Sequence, residues 1–385
     1  MNILAVAHYQ NDGSPTAIFV HDQVLAYRRL GHSVRVIVPI VFGKRDMNGR
    51  RQGTGVRRED IDGIPHYFIR HLSLSKYGKR RFNTAAALYA LRAGLGVILD
   101  GFVPDVIHAH TLGFDSEIGA WLKERVSVPL VVTSHGSDAS IPIEQGRGAQ
   151  LRHYCDKADT IVAVSSVLAR KIRSCGTAVS VFSIINGFRI RNLPEGEMSR
   201  TVTLAQVGTL DRQKRPHITL HAFARLLETH PGMVLTFIGQ GPEQSSLETM
   251  SRELGISKSV RFLGQLSNDE VLTELAKTQF FVLPSVREGF GIVYLEAMAS
   301  GCVTVGTEGE GITDVIVSGE NGFLVPPDDS EAIVRVIEWC LDHPDEAAAI
   351  AERGRKAAMG LTWEKNAAEY IELFEGMRKD GTQTG

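Results

Sequence analysis

Cysteine is scarce in this chain of 385 residues: four in all, Cys155, Cys175, Cys302 and Cys340, with no C-x-x-C spacing. That excludes a disulfide scaffold and a cysteine-based structural zinc site, and it suits a reducing compartment. Long apolar runs are missing as well; none reaches the ~18 residues that a membrane-spanning helix needs. The segment Met1 to Ala7 has no basic residues ahead of its apolar ones. It reads as a buried strand and not as a secretory leader, so a cytoplasmic protein is expected. A dinucleotide fingerprint is absent: Gly239-Gln-Gly241 is the nearest approach, and Gln244 stands where the third glycine should be. That counts against a dehydrogenase. No solenoid-period repeat and no low-complexity segment interrupts the chain.

Net charge is also small, at −2, but the halves differ. Residues 1–200 hold 26 Lys+Arg against 17 Asp+Glu, and residues 201–385 hold 16 against 27. Basic residues cluster at Lys44, Arg45, Arg50, Arg51, Arg57 and Arg58, and again at Lys76, Lys79, Arg80 and Arg81. Two readings are open. One is a solvated, flexible loop surface. The other is a first half that meets something anionic, such as a lipid headgroup, a membrane surface or a charged glycan. Nucleic acid is the poorer partner, because no recognition module accompanies the charge.

What is present is an alternation of short apolar runs with amphipathic helical patterns. Ile3–Ala7, Val34–Val38, Val106–His110, Leu130–Thr133 and Thr160–Val164 make one set of runs. Val202–Val207, Val234–Ile238, Val260–Phe262, Phe280–Leu283 and Thr304–Gly306 make a second. Between them lie helical patterns at Ile18–Leu30, Pro216–Thr229, Asn268–Ala276 and Ile292–Ala299. Continuously apolar strands separated by helices predict parallel sheets covered on both faces. Two successive sets predict two Rossmann-like α/β domains. The polar stretch from Asn186 to Arg200 marks the boundary: residues 1–187 form the first domain, 188–200 a linker and 201–362 the second. A last helix over 363–377 carries Trp363, Ala367, Tyr370, Ile371 and Phe374 on one stripe, which must be buried.

Open parallel sheets bind ligands beyond the carboxyl ends of their strands. After the first strand comes a loop, His8 to Pro15, that should face such a crevice and includes Gly13 and Ser14. After Val207 comes Gly208-Thr-Leu-Asp-Arg-Gln-Lys-Arg-Pro216. Pro216 fits a first helical turn, so Lys214 and Arg215 lie beside a helix N-terminus, a site for anions or simply a solvated basic turn. After Leu283 comes a glycine turn in which Gly289 and Gly291 let the backbone approach a ligand. The amides of Gly291, Ile292 and Val293 can hold a phosphate there. Glu288 precedes this turn and Glu296 lies in the helix beyond it. The E-x7-E spacing recurs at Glu338/Glu346 and Glu364/Glu372, so the spacing alone decides nothing. His135-Gly-Ser-Asp138 follows another strand. His108 and His110 share a strand face, but no third zinc ligand has suitable spacing. A structural role for His135 is also open.

Taken together, these segments resemble the retaining glycosyltransferases of family 4. The resemblance rests on Pro284 to Gly301, joined in order by Asp105-Val-Ile-His-Ala-His110, His135-Gly-Ser-Asp138, Val164-Ser165-Ser166, Asn186-Gly187, Val207-Gly-Thr-Leu with Lys214, Ile238-Gly-Gln-Gly-Pro242, Phe262-Leu-Gly264 and Asn321-Gly-Phe-Leu-Val-Pro326. It spans almost the whole chain. It implies the GT-B fold, two Rossmann-like domains facing across a cleft, with the closing helix returning to the first domain.

The resemblance also implies roles. Glu288 would contact donor-sugar hydroxyls near the reacting carbon, and Glu296 the ribose. Lys214 would hold the diphosphate of the leaving group, and His135 would lie over the donor sugar. Gly208, Thr209, Arg212, Leu263, Gly289, Phe290, Gly291, Ile292 and Val293 would complete the donor site, with the base near Phe262–Gly264. Gly13, Ser14, His110 and Asp138 would lie on the acceptor side. Relatives often carry arginine where Thr209 stands; either Arg212 or Arg215 substitutes or one contact is missing, and subgroups with a small polar residue there exist. The implied activity is transfer of a hexose-type sugar from a UDP- or GDP-sugar to a glycan or lipid-linked acceptor, with no metal and no other cofactor. Ser14-Pro15, Ile18 to Gln23 and His135 to Asp138 lean towards teichuronic-acid and exopolysaccharide assembly. A sugar phosphorylase, a nucleotide-sugar epimerase and a non-catalytic nucleotide-sugar-binding subunit share the architecture.

Overall fold

The computed structural model describes residues 1–7, 18–41, 55–71, 80–189 and 202–382. The chain divides into two compact units. Unit 1 comprises Met1–Gly187 with Trp363–Gly385, and unit 2 comprises Phe188–Thr362. Gly13, Ser14, residues 190–200 of the expected linker, and Lys44, Arg45, Arg50, Arg51, Lys76 and Lys79 lie outside the described residues, as do the side chains of Arg80 and Arg81.

Unit 1 is built on eight strands: β1 (Asn2–Ala7), β2 (Ser33–Val41), β3 (Gly55–Ile61), β4 (Ile64–His71), β5 (Val106–His110), β6 (Leu130–Ser134), β7 (Thr160–Ala163) and β8 (Ser180–Ser183). Their order across the sheet is β3-β4-β2-β1-β5-β6-β7-β8. Every pairing is parallel except β3 with β4. The central strands are apolar along their whole length because helices cover both faces; all five residues of β5 and of β6 are buried.

The β3–β4 hairpin departs from the expectation of parallel strands alone. Asp62 (φ 50°) and Gly63 (φ 73°) close it as a two-residue left-handed turn. Arg57 and Arg58 therefore stand on an edge strand, not on a flexible loop. Arg57 pairs with Glu59, and its guanidinium sits 5.4 Å from the Phe68 ring centre.

The closing helix, Trp363–Thr382, packs on unit 1 and buries the expected stripe; Trp363, Ala367, Tyr370, Ile371 and Phe374 are all at most 8% exposed. The Tyr370 hydroxyl lies 2.8 Å from Thr133 Oγ1, and Gln23 Nε2 donates to Asn366 Oδ1 at 2.7 Å.

Unit 2 carries a fully parallel sheet of β9 (Thr203–Val207), β10 (Val234–Ile238), β11 (Val260–Phe262), β12 (Phe280–Val282), β13 (Val303–Thr307) and β14 (Phe323–Val325). The order is β11-β10-β9-β12-β13-β14. Renumbered within the unit, that is the doubly wound order 3-2-1-4-5-6, which reverses between its first and fourth strands. Leu204, Phe223, Phe237, Phe280, Val282 and Ile333 belong to one packed core of buried side chains. The reversal opens a crevice between the ends of β9 and β12, where Gly208 and Ser285 leave the sheet.

Candidate active site

The turn after β9 is shaped by glycine. Gly208 has φ 141° and Gly239, after β10, has φ 132°. A Cβ on Gly239 would stand 2.0 Å from the Gly208 carbonyl oxygen, so the two turns touch through bare backbone. Asp211 Oδ1 then accepts from the amides of Gln213 (2.9 Å) and Lys214 (3.0 Å), and Gln206 Nε2 donates to the Lys214 carbonyl at 2.8 Å. These bonds fix the backbone that carries Lys214. Arg215 is left-handed (φ 49°) and caps the helix Pro216–Thr229.

The turn after β12 meets it. The Val286 amide donates to the Gln213 carbonyl at 2.9 Å. Lys214 Nζ bonds Glu288 Oε2, which also accepts from Ser285 Oγ at 3.1 Å. The two charged side chains are only 17% and 13% exposed. Gly291 caps the helix Ile292–Ala299 at φ 82°, and a Cβ there would lie 2.7 Å from Tyr294 Cδ2. Tyr294 is buried under the turn, donates to the Leu283 carbonyl at 2.6 Å, and its hydroxyl is held well above the ordinary range by burial and by Glu288 and Glu310. Gly208 and Gly291 thus bring backbone close to a half-buried ammonium–carboxylate pair, with half-exposed Ile292 and Val293 at the helix start.

The remaining expected donor residues divide. Glu296 accepts from Asn268 Nδ2 at 2.7 Å, and Leu263 is half-buried just past β11. Gly289 is buried in the turn, and Thr209 is exposed. Phe290 is 1% exposed and belongs to the core, so its side chain is packing and not a ligand surface. The Arg212 side chain is 89% exposed and sits 3.6 Å from Glu243, turned to solvent, and Arg215 pairs with Asp328 at 2.9 Å. Neither is committed to the Lys214–Glu288 pair. Glu310 was not anticipated: its carboxylate accepts from the amides of Arg287 (2.9 Å) and Glu288 (2.8 Å).

In unit 1, three histidines line up. His108 Nδ1 is 3.2 Å from the Tyr27 hydroxyl and its Nε2 is 2.8 Å from the Thr133 hydroxyl. His110 Nδ1 is 3.3 Å from His135 Nε2, and neither His135 Nδ1 nor His110 Nε2 has a hydrogen-bond partner among the described residues. Burial pushes His108 and His135 down to about 3 and His110 well below its ordinary value, so all three rings are neutral at neutral pH. His110 is only 1% exposed, which corrects its expected place as an acceptor contact. Asp138 is corrected likewise. Its carboxylate accepts from Leu112 N (2.8 Å), Ser134 Oγ (3.0 Å), His135 N (3.1 Å) and Gly136 N (2.9 Å). Oδ1 takes three of these bonds and clamps the turn that carries His135, and Oδ2 ties that turn to Leu112, so the carboxylate is committed to the protein's own donors. Burial raises its pKa above the ordinary carboxylate value, against the pull of those bonds.

Two family models match the chain. "Glycosyl transferases group 1" matches residues 194–357, and "Glycosyl transferase 4-like domain" matches residues 16–182. A glycogen synthase of Mycobacterium tuberculosis is 29% identical over 296 residues, covering 73% of this chain and 70% of the relative. A D-inositol 3-phosphate glycosyltransferase of Corynebacterium urealyticum is 34% identical over 178 residues, covering 44% and 42%. Among solved structures, sucrose-phosphate synthase from Thermosynechococcus elongatus superposes with a TM-score of 0.77 at 21% identity, covering 98% of both chains. Anabaena HepE, solved in complex with UDP-glucose, superposes at 0.75 with 20% identity, covering 98% of this chain and 100% of that one. The chain belongs to the glycosyltransferases of the GT-B fold.

Proposed function

We propose that the chain transfers a hexose-type sugar, with retention, from a UDP- or GDP-sugar to a hydroxyl of a glycan or lipid-linked acceptor in cell-envelope polysaccharide synthesis. The observation that carries this reading is the Lys214–Glu288 pair at the strand-order reversal of unit 2, flanked by Gly208 and the N-terminus of the helix Ile292–Ala299. UDP-glucose is bound by HepE, a protein of the same fold.

A leaving nucleoside diphosphate carries concentrated negative charge, so its stabilisation is the largest catalytic demand. The Lys214 ammonium and the free amides at Gly291, Ile292 and Val293 meet that demand, and no metal is required for it. An arriving diphosphate competes with Glu288 for Lys214. The released carboxylate then turns to the hydroxyls of the donor sugar, with Glu296 at the ribose. The bond from the anomeric carbon to the phosphate oxygen breaks, and a bond to the acceptor oxygen forms on the same face. The acceptor proton passes to the departing phosphate oxygen. His135 is assigned to the donor sugar. As part of the same reading the enzyme works in the cytoplasm at the inner membrane face, meeting anionic lipid through its basic first half. Among the described residues no helix is long and apolar enough to cross a membrane.

A thermal-shift screen of nucleoside diphosphates and nucleotide sugars identifies the donor, because a ligand raises apparent stability by mass action. Lys214→Ala and Glu288→Ala should each lower turnover of that donor by about 10²-fold or more while the fold survives. Near-normal transfer by both variants would sink the assignment. Binding to anionic vesicles should fall steeply with salt, and salt-insensitive binding would remove the membrane part.

A further inference from the structure

We propose that Glu310 is a positioning residue for the reaction: its carboxylate grips the two amides that set the Glu288 side chain in the donor site. The inference rests on the proposed function for its catalytic meaning, although the grip itself is a matter of geometry.

Glu310 lies 22 residues beyond Glu288, at the end of the turn after β13. It is 9% exposed, and both its carboxylate oxygens are used: Oε1 accepts from the Arg287 amide at 2.9 Å and Oε2 from the Glu288 amide at 2.8 Å. The backbone of Glu310 is itself fixed. It caps the 3-10 turn Gly311–Asp314, and its carbonyl accepts from Thr313 N (3.0 Å) and Thr313 Oγ1 (2.8 Å). Gly311 sits directly against the other loop; a Cβ there would stand 2.1 Å from the Gly289 carbonyl oxygen. The two loops cannot slide past each other without losing these contacts.

The gripped turn is not one the chain would adopt unaided. Arg287 has φ 64°, a left-handed conformation disfavoured for any residue with a Cβ. That conformation aims two successive amides at one point, the geometry of an anion-binding nest. Charge-assisted bonds from a buried carboxylate offset the strain and fill the nest. The consequence reaches the substrate. Amides already saturated by Glu310 are not offered to the donor, so its phosphates fall to Lys214 and to the helix start at Gly291–Val293. Glu288 meanwhile leaves the turn at a set angle, towards Lys214 and Ser285.

The test uses the full-length protein with Glu310→Gln, which keeps the side chain's size but turns an NH2 group towards one of the two amides. UDP and GDP are titrated by calorimetry, and kcat is measured with the sugar of whichever nucleotide binds the wild type. Affinity for that nucleoside diphosphate should stay within about threefold, while kcat falls about 10- to 100-fold, as expected for a misplaced catalytic group. Amide hydrogen exchange at Arg287 and Glu288 should quicken about tenfold, with the core unchanged. Arg287→Gly added to Glu310→Gln should recover part of the lost kcat, because glycine adopts positive φ freely. Unchanged kcat with unchanged exchange would overturn the proposal. So would a kcat loss matched by an equal loss of nucleotide affinity and by exchange throughout unit 2, since that marks a merely structural residue. Where Glu310→Gln fails to fold, Glu310→Asp applies the same comparison with the charge kept and the reach shortened. A wild type that binds neither nucleotide sinks the proposed function, and the exchange measurement still decides whether Glu310 holds the turn.

Discussion

Replacing Lys214 by methionine separates two jobs of one ammonium. Lys214 and Glu288 pair with side chains only 17% and 13% exposed. Deleting one partner of a fully buried pair costs about 3–5 kcal/mol, chiefly because the other charge is left bare. Here some water reaches the pair, and Ser285 Oγ still donates to Glu288 at 3.1 Å. We therefore expect a loss of about 1–3 kcal/mol. For a domain the size of unit 2 that is a fall of roughly 3–9 °C in melting temperature. Methionine preserves the stem, so lost packing contributes little. Turnover should drop further, by about 10²–10³-fold, the effect of removing one donor to a developing oxyanion. Adding Glu288→Gln removes the stranded charge. Stability should then largely return, while turnover stays at or below that of the single variant. Calorimetry follows the transition of unit 2 separately, since two units need not melt as one, and initial rates are taken on the donor found by binding. Turnover that returns together with stability would refute the reasoning. So would a single variant that keeps both its rate and its melting temperature.

The buried histidines predict an acid limit for unit 1. Burial holds His108 and His135 at about 3 and His110 well below 6.5, the value they regain on unfolding. The unfolded state thus binds protons that the native unit refuses. Stability is complete above pH 6.5 and is lost as pH falls from 6.5 towards 3, by about 1 kcal/mol per histidine per pH unit. A calorimetric series that shows no decline in unit 1 over this window would contradict it. Phe374→Ala should cost about 3–5 kcal/mol in the transition of unit 1 and leave unit 2 unmoved, because Phe374 is 0% exposed and packs on Tyr27 and His108. Gly239→Ala drives a Cβ to 2.0 Å from the Gly208 carbonyl at a φ of 132°. The turn after β9 must shift, and nucleoside-diphosphate affinity should fall about tenfold or more; an unchanged titration would show that this turn does not shape the site.

Much of the architecture was legible because burial on both faces writes itself as continuous apolar runs. Val234–Ile238 and Pro216–Thr229 occur with the bounds that their patterns predict. The edge of the first sheet was less legible. Gly55–Ile61 reads Gly-Val-Arg-Arg-Glu-Asp-Ile, a charged stretch on a strand with one neighbour and water beyond it. Charges of this kind protect an exposed edge, and they also disguise it. A signal was nevertheless there, since Asp62-Gly63 is a two-residue hairpin turn in its preferred residues.

The site shows the same division at finer grain. Glu288, Lys214 and Gly291 stand just after strands, where parallel sheets bind ligands, so their place made them candidates and the family resemblance supplied their expected roles. Glu310 has no such mark. It acts through the amides of residues 22 and 23 positions earlier, and only the folded turn reveals that two N–H groups converge on it. Asp138 fails in the opposite direction. Its place after β6 suggests a substrate contact, but three hydrogen bonds commit its carboxylate to the turn that carries His135 and a fourth ties it to Leu112. Both acids hold backbone amides beside a residue assigned to the sugar. A carboxylate that organises a site and one that touches its substrate look alike in sequence, and they separate only when their acceptor oxygens are followed to their donors.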